Sequence, residues 1–329
     1  MEDNRKQDRI LEIKNLSVEY RVLEGTVYAV NGVDLSLGHG EALGLVGETG
    51  AGKTTTVMSI LRLLPRQGVI TEGEIVYNGT DLLKVEEKAL REMRGNNISM
   101  IFQDPMSSLN PVYTVRSQIA EVIRVHQKLS RSQANQKAVE MLQAVGITED
   151  RADEYPHEFS GGMKQRVMIA IALSCQPRLL IADEPTTALD VTIQAQVMEL
   201  IKKLRKELGT SMILITHDLG VVAEICDTVA VMYAGHVVEQ GSVRQVYKKP
   251  LHPYTNGLFQ CIPDIEEPDK KLIPIPGLSP SAKRLPSGCP FHPRCAQKME
   301  ACATTMPKLV DVQDGHKVAC LKHPACCGR

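Results

Sequence analysis

The residues from Gly47 to Thr54 read GETGAGKT, and their types and spacing suit one task, holding a chain of phosphates. Glycines let the backbone approach an anion, the amides at the start of a following helix donate to it, Lys53 reaches the outer phosphates, and the Thr54 hydroxyl can hold a magnesium ion. Further along, the apolar run Leu179 to Ala182 stops on two adjacent carboxylates, Asp183 and Glu184. The first can orient magnesium through water, and the second can take a proton from water or polarise it for attack on a phosphate. Gln103 stands at the end of a β run, Ile98 to Phe102, where its amide can reach a metal or the attacking water. His217 stands at the tip of another, Ser211 to Thr216. In FSGGMKQR, Phe159 to Arg166, Ser160 is a good N-cap, and Gly161 and Gly162 leave the helix start uncovered for an anion. Each of these has a plainer counterpart: a capped helix, an acid that ends a strand in solvent, a structural histidine.

These residues need a scaffold, and the surrounding sequence supplies one. Ala42 to Val46 is a buried strand leading into the phosphate loop, and Thr55 to Leu64, free of proline, is a helix leading out of it. Apolar strands ending in Asp183 and Glu184 and in His217 fit a parallel sheet whose active residues gather at its carboxyl edge. Leu11 to Tyr20 and Val27 to Leu37 are rich in β-branched residues and read as strands of an antiparallel layer. They carry Tyr20 and Tyr28, either of which can stack on an adenine or serve as ordinary packing. Gly73 to Asn78 is a further short strand, followed by a charged helical stretch through Arg94. Val115 to Val145 shows helical spacing broken near Leu129 to Ser132, which predicts two helices. The strand from Ile98 is expected to stop at Asp104 and Pro105, the FSGGMKQR helix to run to Cys175, and a long helix to span Val191 to Leu208. Thr228 to Tyr233 and His236 to Val238 read as a hairpin-like pair.

Composition narrows the function. The chain has 329 residues and a net charge of -1, whereas a duplex nucleic-acid binder normally shows a basic excess. No apolar run approaches the ~20 residues of a membrane span, and the opening MEDNRKQDRI lacks the apolar core of a signal peptide. The protein is expected to stay in the cytosol, with any membrane role coming through partners, and nucleic acid is not an expected partner.

With these motifs in this order, the chain resembles the nucleotide-binding subunit of an ATP-binding cassette (ABC) transporter from Leu11 to about Gln245. The phosphate loop looks like its Walker A motif, Asp183 and Glu184 like Walker B with the catalytic glutamate, and Gln103 like the Q-loop glutamine. Ala188, Leu189 and Asp190 look like the D-loop, His217 like the switch histidine, and FSGGMKQ like the family signature. The resemblance implies a P-loop α/β fold with an antiparallel β subdomain and a helical subdomain at about 104–175. ATP is then lined by Tyr20, Gly47, Glu48, Thr49, Gly50, Ala51, Gly52, Lys53, Thr54 and Thr55, with Ser160, Gly161 and Gly162 covering the nucleotide of a partner. Magnesium falls to Thr54, Gln103 and Asp183, and catalysis to Glu184, His217 and Gln103. Met163 departs from the glutamine usual in the signature, a minor loss if amides and Ser160 bind the phosphate.

From Pro250 onward proline becomes frequent, and KKPLHPYTNGLFQCIPD with PIPGLSPSAKRLPSGCPFHPRC resembles the C-terminal extension of dipeptide and oligopeptide importer ATPases. The division expected is a nucleotide-binding domain at 1–245 and an extension at 246–329. The family resemblance implies two transmembrane permease subunits, a paralogous ATPase or a second copy as dimer partner, and an extracellular peptide-binding protein acting indirectly. Nickel importer ATPases are close relatives, and a soluble non-transport ABC ATPase is the competing class. Four of the nine cysteines, Cys289, Cys295, Cys302 and Cys320, are separated by five, six and seventeen residues. Four thiolates can hold tetrahedral zinc or a four-iron cluster. Resemblance to the peptide-importer extension implies the [4Fe-4S] cluster, with Zn2+ the alternative. Cys326 and Cys327 at the tail read as dispensable, though either can substitute as a ligand, and Cys175 is expected in the core. No link from the extension to the ATP chemistry can be derived from these residues.

Overall fold

The computed structural model describes residues 9–103, 108–187, 189–261 and 274–326. Asp104, Pro105, Ala188 and Cys327 lie outside them. In chain order the strands are β1 Arg9–Val22, β2 Gly25–Gly38, β3 Ala42–Val46, β4 Gly68–Tyr77, β5 Thr80–Asp81 and β6 Ile98–Ile101, then β7 Leu179–Asp183, β8 Ser211–Ile215, β9 Thr228–Tyr233, β10 His236–Ser242, β11 Val310–Gln313 and β12 His316–Val318. The described residues fall into two compact units, each built from several stretches of chain.

The first unit contains Leu37–Ala42 and Tyr77–Thr216. Its sheet runs β8-β7-β6, all parallel, with Ile98 beside Leu179 and Asp183 beside Ile215. Every residue of β7 and β8 is buried. That is why these strands read as unbroken apolar runs: a parallel sheet covered on both faces leaves no solvent side to alternate with. Helices Val115–Gln127 and Arg131–Ala144 pack on each other and on helix Gly161–Leu173. The expected break between the first two is built from Lys128, at φ 54°, and a capping box in which the Ser130 side chain and Gln133 satisfy each other's amides.

The second unit contains Glu12–Ser36, Leu43–Val76 and His217–Arg329. One sheet runs β2-β1-β4. Only Leu23 and Glu24 separate the paired strands β1 and β2, and a connection that short closes an antiparallel hairpin. The other runs β11-β12-β10-β9-β3, with β3 and β9 parallel and the rest antiparallel. The extension therefore adds two strands to a sheet that begins at the phosphate loop, Val318 pairing with Glu239. Neither strand was read from the sequence, where both lie past the proline-rich stretch. A buried charge fastens the junction: Glu239, 0% exposed, accepts from the amides of Leu251 (2.8 Å) and His252 (2.9 Å) and lies 2.7 Å from Nε2 of His316. Burial would raise this carboxyl, but those bonds outweigh it and hold it below its ordinary range. Among the described residues no helix is long and apolar enough to cross a membrane.

Candidate active site

In the second unit, β3 is buried at all five residues and delivers Gly47 to the loop. Gly47 sits at φ 148°, and a Cβ there would meet the carbonyl oxygen of Met232 at 2.2 Å, so only glycine allows the loop to lie this close to β9. The helix that follows starts at Lys53 and ends at Ile60, two residues earlier at its start than the sequence suggested. The Lys53 ammonium donates to the carbonyls of Gly47 (2.7 Å) and Glu48 (3.1 Å), which folds this 8% exposed cation across the loop. Thr49, Gly50 and Thr54 are exposed, and Ala51 is buried. Its carbonyl accepts from the Gly235 amide at 3.0 Å. Tyr20, half-buried, places its hydroxyl 3.1 Å from Oγ1 of Thr55. This places the Tyr20 hydroxyl beside the first turn of the helix that follows the loop. Tyr28 is 45% exposed, its amide bonded to Ala282.

Glu48 is held from a direction the sequence did not suggest. Its amide donates to the Tyr254 hydroxyl (2.9 Å), and its carboxylate accepts from Arg294 (2.8 Å) and from the Ser279 hydroxyl. Burial alone would raise this carboxyl, but the bonds from Arg294 and Ser279 and the charges of Arg294 and Lys53 hold it below its ordinary range. The extension thus meets a residue of the phosphate loop, a link that could not be derived from the sequence. Both sides lie in stretches the sequence singles out, the phosphate loop and the proline-rich extension, but nothing in either pattern pairs them across 246 positions.

In the first unit, the parallel register of β6, β7 and β8 aligns their carboxyl ends. Asp183 is 3% exposed. Glu184 follows in the left-handed region, at φ 46°, a strained conformation for a residue with a side chain. Its amide donates to Ile215 at 2.9 Å. Its Oε2 accepts from Nε2 of Gln103 (2.9 Å) and from the Thr187 hydroxyl (3.0 Å). Gln103 and Glu184, 81 residues apart in sequence, are thus brought together. Thr187 was missed; its signal is the turn from Glu184 through Pro185, closed by the Thr187 amide on the Glu184 carbonyl at 3.2 Å. His217 is exposed and directly follows β8 and Thr216, at the start of the second unit.

The signature helix, Gly161–Leu173, is capped by Ser160, whose side chain accepts from the Met163 amide at 3.4 Å. Ser160 and Gly161 are exposed, so this helix presents a solvent-facing N-terminus. Gly162 is required by packing, since a Cβ would meet Cγ2 of Ile193 at 2.5 Å. Arg151 fixes the approach: its guanidinium lies 4.7 Å from the Phe159 ring centroid, pairs with Glu154 at 2.6 Å, and points one nitrogen at the Met163 sulfur, 3.2 Å away.

Cys289, Cys295, Cys302 and Cys320 line one cavity of about 20 Å³ in the second unit. Burial, then repulsion from the other three thiols, pushes Cys289 up to about 11. Burial is also the main reason Cys295 and Cys320 are raised. Among the described residues, however, no group of three or more His, Cys, Asp or Glu side chains is arranged to hold a metal ion. The expected ligands converge without forming a preassembled coordination sphere. Cys326 is buried, its thiol directed at the Val318 carbonyl (3.2 Å), and Cys175 is buried in the core as expected.

With this geometry in place, comparison with known proteins defines the class. The ABC transporter family model matches residues 30–187, and the model for the oligopeptide/dipeptide transporter C-terminal region matches 238–302. The chain belongs to the ABC transporter ATPase family and carries the oligopeptide/dipeptide transporter C-terminal region. It is 50% identical over 324 residues to a probable peptide ABC transporter ATP-binding protein of Sinorhizobium fredii, covering 97% of each chain. It is 49% identical to the oligopeptide transport ATP-binding protein OppD of Escherichia coli, over 96% of this chain and 94% of the other. Among solved structures, it is similar to the dimeric ATP-binding cassette MJ0796 bound to ADP and Pi, with a TM-score of 0.64 and 29% identity over 71% of this chain and 99% of that one.

Proposed function

We propose that this chain is the ATP-hydrolysing subunit of an importer of dipeptides and oligopeptides, bound peripherally to the cytoplasmic face of two permease subunits. The observation that carries the reading is near-complete coverage of peptide-transport ATP-binding proteins at about half identity, extension included. Those relatives favour peptide over nickel, and transport over a soluble role.

The chemistry follows from the residues. The loop amides and Lys53 hold the phosphates of ATP, with Tyr20 against the adenine. Thr54, Gln103 and Asp183 offer hydroxyl, amide and carboxylate oxygens, the hard donors magnesium takes, and the ion offsets phosphate charge when bound. Glu184, oriented by Gln103 and Thr187, accepts a proton from the attacking water, and His217 supports the same step. Ser160, Gly161 and Gly162 cover the nucleotide of the partner ATPase, a paralogue or a second copy, through the exposed helix N-terminus. The four cysteines supply an all-thiolate donor set around one cavity, which suits a [4Fe-4S] cluster or zinc. A cavity of about 20 Å³ is roughly the room of one water, so a cluster requires the thiols to move apart.

Glu184→Gln tests the catalytic role. Turnover should fall about 10³-fold, the usual worth of a positioned base, while ATP stays bound; normal hydrolysis would remove Glu184 from that role. Peptide uptake by proteoliposomes carrying the permeases tests the transport reading, and iron and zinc analysis after anaerobic purification tests the thiolate site.

A further inference from the structure

The segment Cys289–Cys295 is a tight turn, with the His292 amide bonded to the Cys289 carbonyl at 3.0 Å and the Arg294 amide to the Phe291 carbonyl at 3.0 Å. It sends two side chains toward the phosphate loop. Phe291 packs edge-on to Tyr233, with ring centroids 5.2 Å apart, and lies 5.4 Å from Tyr254, whose hydroxyl holds the Glu48 amide. Arg294, its side chain 8% exposed, spends nearly all its donors on fixed partners. They are the carboxylate of Glu48, Ser279 Oγ (3.1 Å), the Tyr233 hydroxyl (3.3 Å), and the carbonyls of Pro276 (2.9 Å) and Ile275 (3.4 Å). Upstream in the extension, the Ala282 carbonyl accepts from the Tyr28 amide on β2, and Lys283 pairs with Glu24.

A carboxylate at the second position of a loop that must receive a triphosphate opposes binding unless it is neutralised and held off. We propose that Arg294 is a positioning residue for ATP: by pairing with Glu48 it cancels that charge and fixes the loop, so the C-terminal extension is a working part of the nucleotide site. This inference rests on the ATP-binding reading above. It also gives the extension a role that does not depend on what the cysteines hold, although Cys295, next in sequence, ties the two together.

The test is the affinity of the purified full-length chain for Mg-ATP by calorimetry, in a double-mutant cycle of Arg294→Met and Glu48→Gln, with Lys53→Ala as the control for nucleotide binding. Arg294→Met should weaken ATP about tenfold in the wild-type background, as expected for one charge left uncompensated near the phosphates. In the Glu48→Gln background the same change should cost less than about twofold, because the charge it served is gone. A merely structural arginine would cost the same in both backgrounds, and that result, or wild-type affinity in Arg294→Met, overturns the proposal. If Arg294→Met does not fold, Arg294→Lys replaces it: a loss of about threefold that vanishes with Glu48→Gln supports the pairing, and a loss that persists overturns it. Failure of the wild-type chain to bind ATP would instead sink the ATP-binding reading.

Discussion

His252 offers a quantitative check on how the extension is fastened. Its ring is 1% exposed, and burial, helped by His323 and opposed by the Glu239 charge, lowers its pKa from 6.5 to about 4. The geometry explains the preference for the neutral form. Nδ1 accepts from the Tyr254 amide at 3.1 Å, capping helix Pro253–Gln260, and a protonated nitrogen can no longer accept. Between pH 4 and 6.5 the unfolded chain binds a proton on this ring and the folded chain does not, so stability rises with pH across that window and is lost toward its acid end. A shift of this size at 1.36 kcal/mol per unit corresponds to about 3 kcal/mol. His236, also lowered to about 4 by burial but only half-buried by surface, adds a smaller increment of the same sign. The depressed carboxyl of Glu239 acts below its ordinary 4.5, at the acid end. The assay is urea denaturation from pH 4.5 to 7 for the wild-type chain and His252→Asn, which keeps a capping oxygen and does not titrate. The wild type should lose about 3 kcal/mol through His252 toward the acid end plus the smaller His236 increment, and the variant should lose only that increment. Flat stability over the window, or an unchanged slope in His252→Asn, would refute the argument.

Two further outcomes follow from the phosphate loop and the signature. Gly47→Ala puts a methyl against the Met232 carbonyl at a backbone angle that disfavours side chains, so it should destabilise the chain by about 2–4 kcal/mol and abolish measurable ATP binding, checked by thermal melting and calorimetry. Met163→Gln restores the residue usual in the signature, yet the Met163 amide already meets Ser160 and its side chain faces Arg151; ATPase activity of the reconstituted transporter should change less than about twofold.

How much was legible depended on whether a signal was local. The phosphate loop, the acid pair and the signature each lie within one short segment, where glycines, a cap or a strand end betray themselves. The parallel strands were readable because burial on both faces leaves a continuous apolar run, as in LLIA at Leu179–Ala182 and MILI at Met212–Ile215. Gln103 beside Glu184 could be anticipated as chemistry but not as a contact, since a parallel register across β6 and β7 sets it. β11 and β12 were not read although a local signal was there: Val310 to Gln313 alternates apolar and polar, and Asp314 and Gly315, at φ 48° and 86°, make the Asp-Gly turn of a hairpin. Their shortness, four and three residues, is what hid them.

The Glu48 contact shows why the extension and the loop could not be linked from sequence. Sequence separates Glu48 from Arg294 by 246 positions, and a single arginine among prolines and cysteines carries no pattern. What joins them is a path of adjacent strands: β3 leads into the loop, β9 lies parallel to β3, β10 hairpins back from β9, and the extension pairs onto β10 through β12. Once that sheet forms, Tyr233 at the end of β9 becomes a platform on which Tyr254, Phe291 and Arg294 assemble, directly behind the loop. Removing the extension would strip the buried Tyr233 ring of its cover and Glu48 of its cation together. The loop's second residue is therefore held by residues more than two hundred positions downstream of it.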